Sequence, residues 1–445
     1  MTHPFDTKKL FYGMNIHPQY RDAPWHKTPA EVIDELHELG CTVARIDCYG
    51  LEDEANIVLE HAREAEGKGI LVVPCLAYHS VFESNNYDAG VHYGALTAKI
   101  VRDHCPIYEV SNEISIYCNG DGPGTDPTRY DQEKYVNCRE LIRGVIDGIK
   151  SEQPDAKIII GGGVTTLTSF NKMLWHGTEP NGSSGHPLVR WDYTGWHWYE
   201  SSGRMDTAFD GTDTPYNVLE ELAKFGVPIW ITELGFMPNN DNFDQQSAYV
   251  ITALAEYREY RDRYNVIGAC WYSLYDDASG DFGLIQVVTD TPAAAAANTN
   301  TNAEAKSGKT PPADAKSKAR VASTAVATSS EKSSAGANAG RKSLKRKPAH
   351  ETFMTFVSKN PDRNHLGKDF HTAEYTLPIT LSHQLRDAAA QNHISENDEL
   401  AHRLDSTFSS FWTLYEKVTR AAEQNGVSLW EEMVTRLEST FASRK

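Results

Sequence analysis

The sequence predicts an α/β fold in which eight parallel strands alternate with helices in a closed (β/α)8 TIM barrel. Between residues 10 and 277, short apolar runs rich in β-branched residues alternate with longer amphipathic stretches. Most runs are apolar on both faces, which is typical of parallel strands covered by helices. Eight such units in roughly 250 residues match the usual size of a closed barrel. An open doubly wound sheet is the competing arrangement, but the glycines at 161–163 lack the spacing of a nucleotide-binding loop.

The predicted strands and helices follow in strict alternation. The strands are expected within residues 10–17, 41–50, 70–80, 105–115, 156–166, 191–201, 227–236 and 265–277. The helices are expected at about 28–39, from 51 to about 68, and at 90–104, 131–152, 170–175, 215–225 and 244–262. The first helix carries the clearest start signal, because Thr28 precedes a proline and stands three residues before Glu31, as in a capping box.

Residues 292–346 form a low-complexity tract of small and polar residues. With almost no aliphatic side chain larger than alanine, this tract buries too little surface to offset its ordering entropy, so we predict disorder. The residues that follow, 347–358, resemble the start of a last barrel helix. We therefore expect 1–291 and 347–358 to form one barrel interrupted by an insertion, with a plain interdomain linker as the alternative. The basic run at 341–347 is expected to be a solvated tether end more than a nuclear address.

Residues 360–445 are predicted to form a small helical extension. Apolar residues recur there at helical spacing, first from Leu400 to Val418 and again from Leu429 to Leu437. Such a module could pack on the barrel or bind a protein partner.

The net charge of the chain limits the classes of ligand that it is expected to bind. The chain has a net charge of −18, yet residues 292–347 carry eleven Lys and Arg against three Asp and Glu, so the remainder carries about −26. A surface this acidic repels nucleic acid and favours a neutral substrate.

The sequence shows no sign of export, membrane insertion or disulfide bonding. No apolar run is long enough for a membrane span, and residues 1–11 lack the apolar core of a signal peptide. The seven cysteines include no CxxC pair, which favours small buried side chains in a reducing compartment. We expect a cytoplasmic protein, or a secreted one if a leader precedes this chain.

Two glutamates stand at strand ends where barrel enzymes place catalytic groups. Glu113 follows Asn112 at the end of the fourth predicted strand, and Glu233 ends the apolar run of the seventh. An unpaired charge at that depth is unfavourable, so each carboxylate needs a partner or a function. Retaining glycoside hydrolysis uses two carboxyl groups about 5–5.5 Å apart, one as nucleophile and one as acid and base. Interior salt bridges are the alternative.

The Asn-Glu pair on strand four and the single glutamate on strand seven resemble the signature of the retaining (β/α)8 glycoside hydrolases of clan A. This resemblance covers about residues 10–290, and the β-xylosidase and exopolysaccharide-hydrolase branches look most similar. It implies that Glu113 is the acid/base, Glu233 the nucleophile and Asn112 a donor to the sugar 2-hydroxyl.

The resemblance also assigns supporting residues. It implies that Arg45 holds the nucleophile ionised, that Tyr199 hydrogen-bonds it and that Trp271 is the aromatic platform beneath the sugar. His197 is expected on the same strand face as Tyr199. Candidate subsite donors at the ends of strands one to three are Asn15, His17, Asp47 and His79. Structural roles remain open for Arg45 as a counter-ion, for Trp271 as core and for the four donors as support.

The resemblance implies hydrolysis of an oligo- or polysaccharide by double displacement, without metal or other cofactor. A transglycosylase with the same residues is one alternative. Another is a non-catalytic carbohydrate-binding or scaffold protein that works through its C-terminal helices. A metal-dependent hydrolase is disfavoured, because no His and Asp cluster shows ligand spacing.

Overall fold

The computed structural model describes residues 11–20, 23, 26–77, 86–120, 123–212, 214–238, 242–289 and 342–361. Within them, eight parallel strands close into one barrel in chain order, and the first strand pairs with both the second and the eighth. The predicted barrel is thereby confirmed. Its strands are β1 Tyr12–Ile16, β2 Val43–Cys48, β3 Leu71–Leu76, β4 Ile107–Val110, β5 Lys157–Val164, β6 Tyr193–His197, β7 Ile229–Leu234 and β8 Val266–Trp271.

Helices follow the strands on the outside of the barrel. They are α1 Pro29–Glu38, α2 Glu52–Glu66, α3 Asn86–Val101, the unpredicted short α4 Ser115–Cys118, α5 Gln132–Glu152, α6 Thr168–His176, α7 Val218–Ala223 and α8 Phe243–Tyr264. The predicted capping box at the start of α1 is present. The hydroxyl of Thr28 accepts from the Glu31 amide, and the Glu31 carboxylate accepts from the Thr28 amide.

The two faces of the barrel strands serve different purposes. One face packs against the helices in the main hydrophobic core. The other lines the barrel interior with a small apolar cluster of Val43, Leu71, Val73, Ile107, Ile159, Trp230 and Cys270. Because strand side chains alternate between faces, residues two positions further along point into the same interior. Those positions, nearer the carboxyl ends of the strands, carry the polar groups of the site.

The chain after β8 returns to the barrel. Strand β9 Ile285–Thr289 pairs antiparallel with β10 Lys342–Arg346, and α9 Pro348–Lys359 buries Phe353 and Val357 in the main core. The domain boundaries expected from the sequence stay a prediction. The expected disorder across 292–346 is wrong for β10.

Two contacts explain why this end of the tract is ordered. Arg346 forms a two-pronged ion pair with Glu38, and Leu344 packs against the core. The basic run is also not merely a solvated tether, because Lys347 is buried with its Nζ 2.6 Å from Asp276. The rest of the tract, 290–341, and the predicted helical extension, 362–445, lie outside the described residues.

Two further observations concern the cysteines and the possibility of a membrane-spanning helix. All seven cysteines are buried free thiols, and their burial was expected from the sequence. Of the helices in the described ranges, none is both long and apolar enough to cross a membrane.

Candidate active site

Glu113 and Glu233 both lie at the carboxyl end of the barrel. Glu233 belongs to β7 and is only 5% exposed, whereas the Glu113 side chain, just beyond β4, is 19% exposed. The backbone is left-handed at Ser111 and Glu113, with φ of 70° and 48°. Such strained positions persist where surrounding structure holds them, often at functional sites. Here the Glu113 amide donates to the carbonyl of Gly161 on β5, at 3.1 Å.

A single imidazole joins the two carboxyl groups. Nδ1 of the fully buried His197 lies 2.9 Å from Oε1 of Glu113 and 3.3 Å from Oε2 of Glu233. One oxygen of each carboxylate and this nitrogen all lie within 4.8 Å of one another. Burial alone would lower the pKa of His197, but Glu233, Glu109 and Glu113 overcome that effect and raise it to about 10. The three carboxylates around His197 therefore favour its imidazolium form.

Two further donors hold Glu233. Arg45 Nη1 lies 2.8 Å from Oε1, and the Tyr199 hydroxyl donates to Oε2 at 2.6 Å. Burial raises the pKa of Glu233 above its usual value, while His197 and Arg45 oppose that rise. Arg45 thus acts in the direction predicted from the sequence, but burial outweighs it. The carboxylate is fixed in place by three groups from β2, β6 and the loop after β6.

Arg45 is the hub of the buried network. Its guanidinium is 2% exposed and donates to groups on four other strands or their ends. The partners besides Glu233 are Glu109, Asn15, Asp47, Cys75 and Asn112.

Asn112 and Asn15 differ in whether their amide groups are free to bind a ligand. Arg45 Nη2 donates to the Asn112 amide oxygen at 2.7 Å, so the amide nitrogen is the group that would reach a sugar hydroxyl. Asn15 uses both ends of its amide within the protein: the oxygen accepts from Arg45, and the nitrogen donates to the carbonyls of Thr232 and Trp271. Asn15 therefore supports the barrel mouth, which was one of the two roles left open by the sequence.

His17 and Asp47 lie together at the ends of β1 and β2. Nδ1 of His17 is 3.1 Å from Asp277, and Nε2 is 3.7 Å from Asp47. Burial lowers the pKa of His17, but the two aspartates more than compensate and leave it raised. Asp277, in the loop after β8, was not predicted. The fourth candidate donor, His79, lies outside the described residues.

The prediction that Trp271 is the sugar platform is wrong. Its ring is fully buried against Tyr249 on α8, with its Nε1 donating to the Phe282 carbonyl. The reason is strand alternation, since Cys270 faces the barrel interior and its neighbour must face the helices. Tyr272 returns to the interior side. Its ring makes edge contacts with His17 and Tyr199, which the interior pattern of β8 would have indicated.

Glu109 is a third functional candidate, after Asp277 and Tyr272, that was not predicted from the sequence. It lies on β4, has no exposed surface, and pairs with Nε of Arg45. Burial raises the pKa of its carboxyl, but Arg45 and His197 outweigh burial and lower it to about 2. The available signal was a charge in the middle of an apolar strand, three residues before Asn112.

Glu113, His197 and Glu233 also have the spacing of a three-ligand metal site. A metal ion binds the neutral imidazole, so it would have to displace a proton from a group whose pKa is about 10. Arg45 beside Glu233 adds a second opposing charge. These neighbours favour a proton over a metal ion at this place.

No protein-family model matches the sequence, and no curated protein matches it. Solved structures with a similar fold include the β-glycosidase from Thermosphaera aggregans, at 12% identity and a TM-score of 0.46 over 65% of this chain and 93% of that one. The family 1 β-glucosidase from Thermotoga maritima has 14% identity and a TM-score of 0.42 over 63% and 93%. The family 5 xyloglucanase from Paenibacillus pabuli has 15% and 0.43 over 62% and 93%. These neighbours are by name a β-glycosidase, a β-glucosidase and a xyloglucanase, and they distinguish no branch for this chain.

Proposed function

We propose that this protein is a retaining O-glycoside hydrolase in which Glu233 is the nucleophile and Glu113 the acid/base. The observation that supports this most is the shared contact with His197, which places oxygens of the two carboxyl groups within 4.8 Å. Retaining enzymes have carboxyl groups about 5–5.5 Å apart, whereas inverting enzymes need about 6.5–9.5 Å to admit a water. The short separation favours direct attack by a carboxylate.

The two roles follow from the surroundings of each carboxyl group. Glu233 is fixed by Arg45, Tyr199 and His197, as a group that must attack one carbon atom requires. An oxygen of Glu233 bonds to the anomeric carbon while the bond to the leaving oxygen breaks and Glu113 gives that oxygen its proton. Water then attacks the same carbon, its proton passes to Glu113, and the ester bond to Glu233 breaks. Asn112 supplies an amide nitrogen for the 2-hydroxyl.

A neutral sugar suits the charges at the barrel mouth. Asp47 and Asp277 lie close to His17, and Asp47 also lies 3.5 Å from Arg45, so these cations are already paired with protein carboxylates. A carboxylate on the sugar would have to compete with the two aspartates for them. Tyr272, inward-facing and next to His17 and Tyr199, takes the platform role first assigned to Trp271.

Mass spectrometry after incubation with a panel of 2-deoxy-2-fluoroglycosides tests the nucleophile. We expect a sugar adduct on the peptide that contains Glu233, and none in Glu233→Gln. Proton NMR of the first product should show the anomeric configuration of the substrate. An inverted first product would exclude the double displacement. Longer oligosaccharides at high acceptor concentration would indicate transglycosylation by the same residues.

Variants of the acid/base provide a second test. Glu113→Ala should lose most activity on glycosides with poor leaving groups and much less on activated aryl glycosides, whose leaving oxygen needs little protonation. Glu179→Gln is the control, because it removes a glutamate carboxylate that pairs with Arg139 outside the proposed site. It should lower stability without changing this leaving-group dependence. Full activity in both Glu113→Ala and Glu233→Ala would refute the assignment.

A further inference from the structure

Glu109 lies inside the barrel, at a deeper level than the two catalytic carboxyl groups. One of its oxygens pairs with Nε of Arg45. The other, Oε1, lies 3.9 Å from Nε2 of His197, and among the described residues neither of these two atoms has a hydrogen-bond partner. Glu109 is thus the carboxylate on the Nε2 side of the His197 ring, and Glu113 and Glu233 lie on the Nδ1 side.

Neighbouring strands leave room for this carboxylate. A β-carbon on Gly161 of β5 would come within 2.6 Å of Glu109 Oε1, and one on Gly195 of β6 would come within 3.2 Å. A larger residue at Gly161 would clash both with the carbonyl of Ser111 and with this carboxylate. Burying a charge is unfavourable by several kcal/mol unless it is well paired, and an apolar residue would suit a barrel interior better. A buried glutamate accommodated by glycines therefore needs a reason beyond packing.

Charge balance through the reaction provides that reason, if the proposed function holds. Before attack, Arg45 and His197 carry two positive charges against the ionised Glu233 and Glu109, with Glu113 protonated. In the glycosyl-enzyme, Glu233 is a neutral ester and Glu113 is ionised, so the balance is unchanged. One negative charge moves between the two catalytic groups, and both contact the same Nδ1 of His197. The charge of Glu109 stays fixed.

We infer that Glu109 is a positioning residue that keeps His197 an imidazolium throughout the cycle, so that its Nδ1–H can bond to whichever catalytic carboxylate is ionised. The proton stays on His197, and only its acceptor changes, from Glu233 to Glu113 and back. Without Glu109, Nε of Arg45 and the Nε2 side of His197 would both lose their neighbouring carboxylate, and loss of the His197 proton would remove the excess positive charge. This inference rests on the proposed function for its role in the cycle, but the state of His197 can be measured without it.

The groups that face His197 support this assignment. They are Glu109 and Glu113 from β4 and the residues beyond it, and Glu233 from β7. On the remaining neighbour, β5, His197 pairs with the apolar Val164, and Gly161 lies beside Glu109. Burial lowers the pKa of His197, and Glu233, Glu109 and Glu113 together raise it. Of these three, only Glu109 is outside the chemistry.

The test is an NMR titration of the protein with 15N-labelled histidine, with the His197 signals assigned by their loss in His197→Gln. We expect wild-type His197 to stay doubly protonated past pH 8. In Glu109→Gln, which keeps the shape and removes the charge, its pKa should fall by about one unit or more. Glu109→Asp keeps the charge and should stay closer to wild type. Glu179→Gln removes a buried carboxylate elsewhere and should change nothing at His197.

Activity provides the second readout. In Glu109→Gln the alkaline limb of kcat/KM should move to lower pH, whereas a purely structural role would lower kcat without moving the limb. An unchanged His197 titration in folded Glu109→Gln would overturn the inference. So would a neutral His197 in the wild-type protein at pH 8, a result that needs no variant to fold. If no glycoside is cleaved but His197 titrates as expected, the proposed function fails and the charge assignment stands.

Discussion

The hydrogen bond from Tyr199 to Glu233 allows the proposed nucleophile to be tested through its protonation. In Tyr199→Phe the ring remains and only the hydroxyl, 2.6 Å from Oε2 of Glu233, is lost. A hydrogen bond to a charged group contributes about 1.5–3 kcal/mol, and one pKa unit corresponds to about 1.4 kcal/mol. The pKa of Glu233, already raised by burial, should therefore rise by a further one to two units, roughly.

This shift has a definite sign in two assays. Glu233 must be ionised to attack, so the acidic limb of kcat/KM should move to higher pH by about one unit or more. For stability, a raised pKa means that the folded state holds the proton more tightly. The free energy of unfolding should then fall below that of wild type by about 1.5–3 kcal/mol above the pKa of Glu233. The two proteins should converge at low pH, where Glu233 is protonated in both.

Tyr87→Phe is the matched control. The Tyr87 hydroxyl also donates to a carboxylate at 2.6 Å, that of Asp147, but on the exposed outer surface of α3 and α5. Its loss should change stability by less than about 0.5 kcal/mol and leave the pH profile unchanged. If Tyr199→Phe behaves like Tyr87→Phe in both assays, the reasoning about Glu233 is wrong.

Three further predictions separate the site from the scaffold. Tyr272→Ala should raise KM and, because its ring is only partly buried, lower the free energy of unfolding less than Trp271→Ala, which should lower it by about 3–5 kcal/mol; substrate kinetics and urea unfolding measure the two. Phe353→Ala should cost about 3–5 kcal/mol in urea unfolding, because the side chain is fully buried; a surface-like value would mean that α9 does not pack on the barrel. Lys347→Met should destabilise by about 2–3 kcal/mol at pH 8, since it leaves the largely buried Asp276 without its cation. Burial raises the pKa of Asp276 to about 6 even beside Lys347, and this pKa should rise further without the lysine, so the loss should shrink as the pH falls from 8 towards 6 and the carboxyl becomes neutral.

The barrel could be predicted because its signals are local. Apolar runs, amphipathic helices and the capping box at Thr28 each depend on a few neighbouring residues. Strand β10 depends instead on pairing with β9, with Lys342 opposite Thr289 across the long tract between them. A short basic run carries no local sign of such a partner, so it was assigned to the tract.

The site was predicted best where charge and strand position coincide. Glu113 and Glu233 stand out because carboxylates end apolar runs, and the structure brings both to His197. Trp271 was misplaced by one residue, although the alternation along β8 contained the correct answer. Asp277 comes from a loop without periodicity, so nothing in the sequence indicates its contact with His17.

Arg45 explains why this constellation needs a closed barrel. Its partners belong to β1, β3, β4 and β7 or to their ends, positions that range from Asn15 to Glu233 along the chain. Only closure of the sheet brings such distant residues to one guanidinium, and the planar fork of its N–H groups then fixes their relative positions. The orientation of Glu233 is therefore set by the whole barrel mouth and not by β7 alone. Because Arg45 pairs with both Glu109 and Glu233, the same guanidinium links the buried carboxylate deeper in the barrel to the proposed nucleophile.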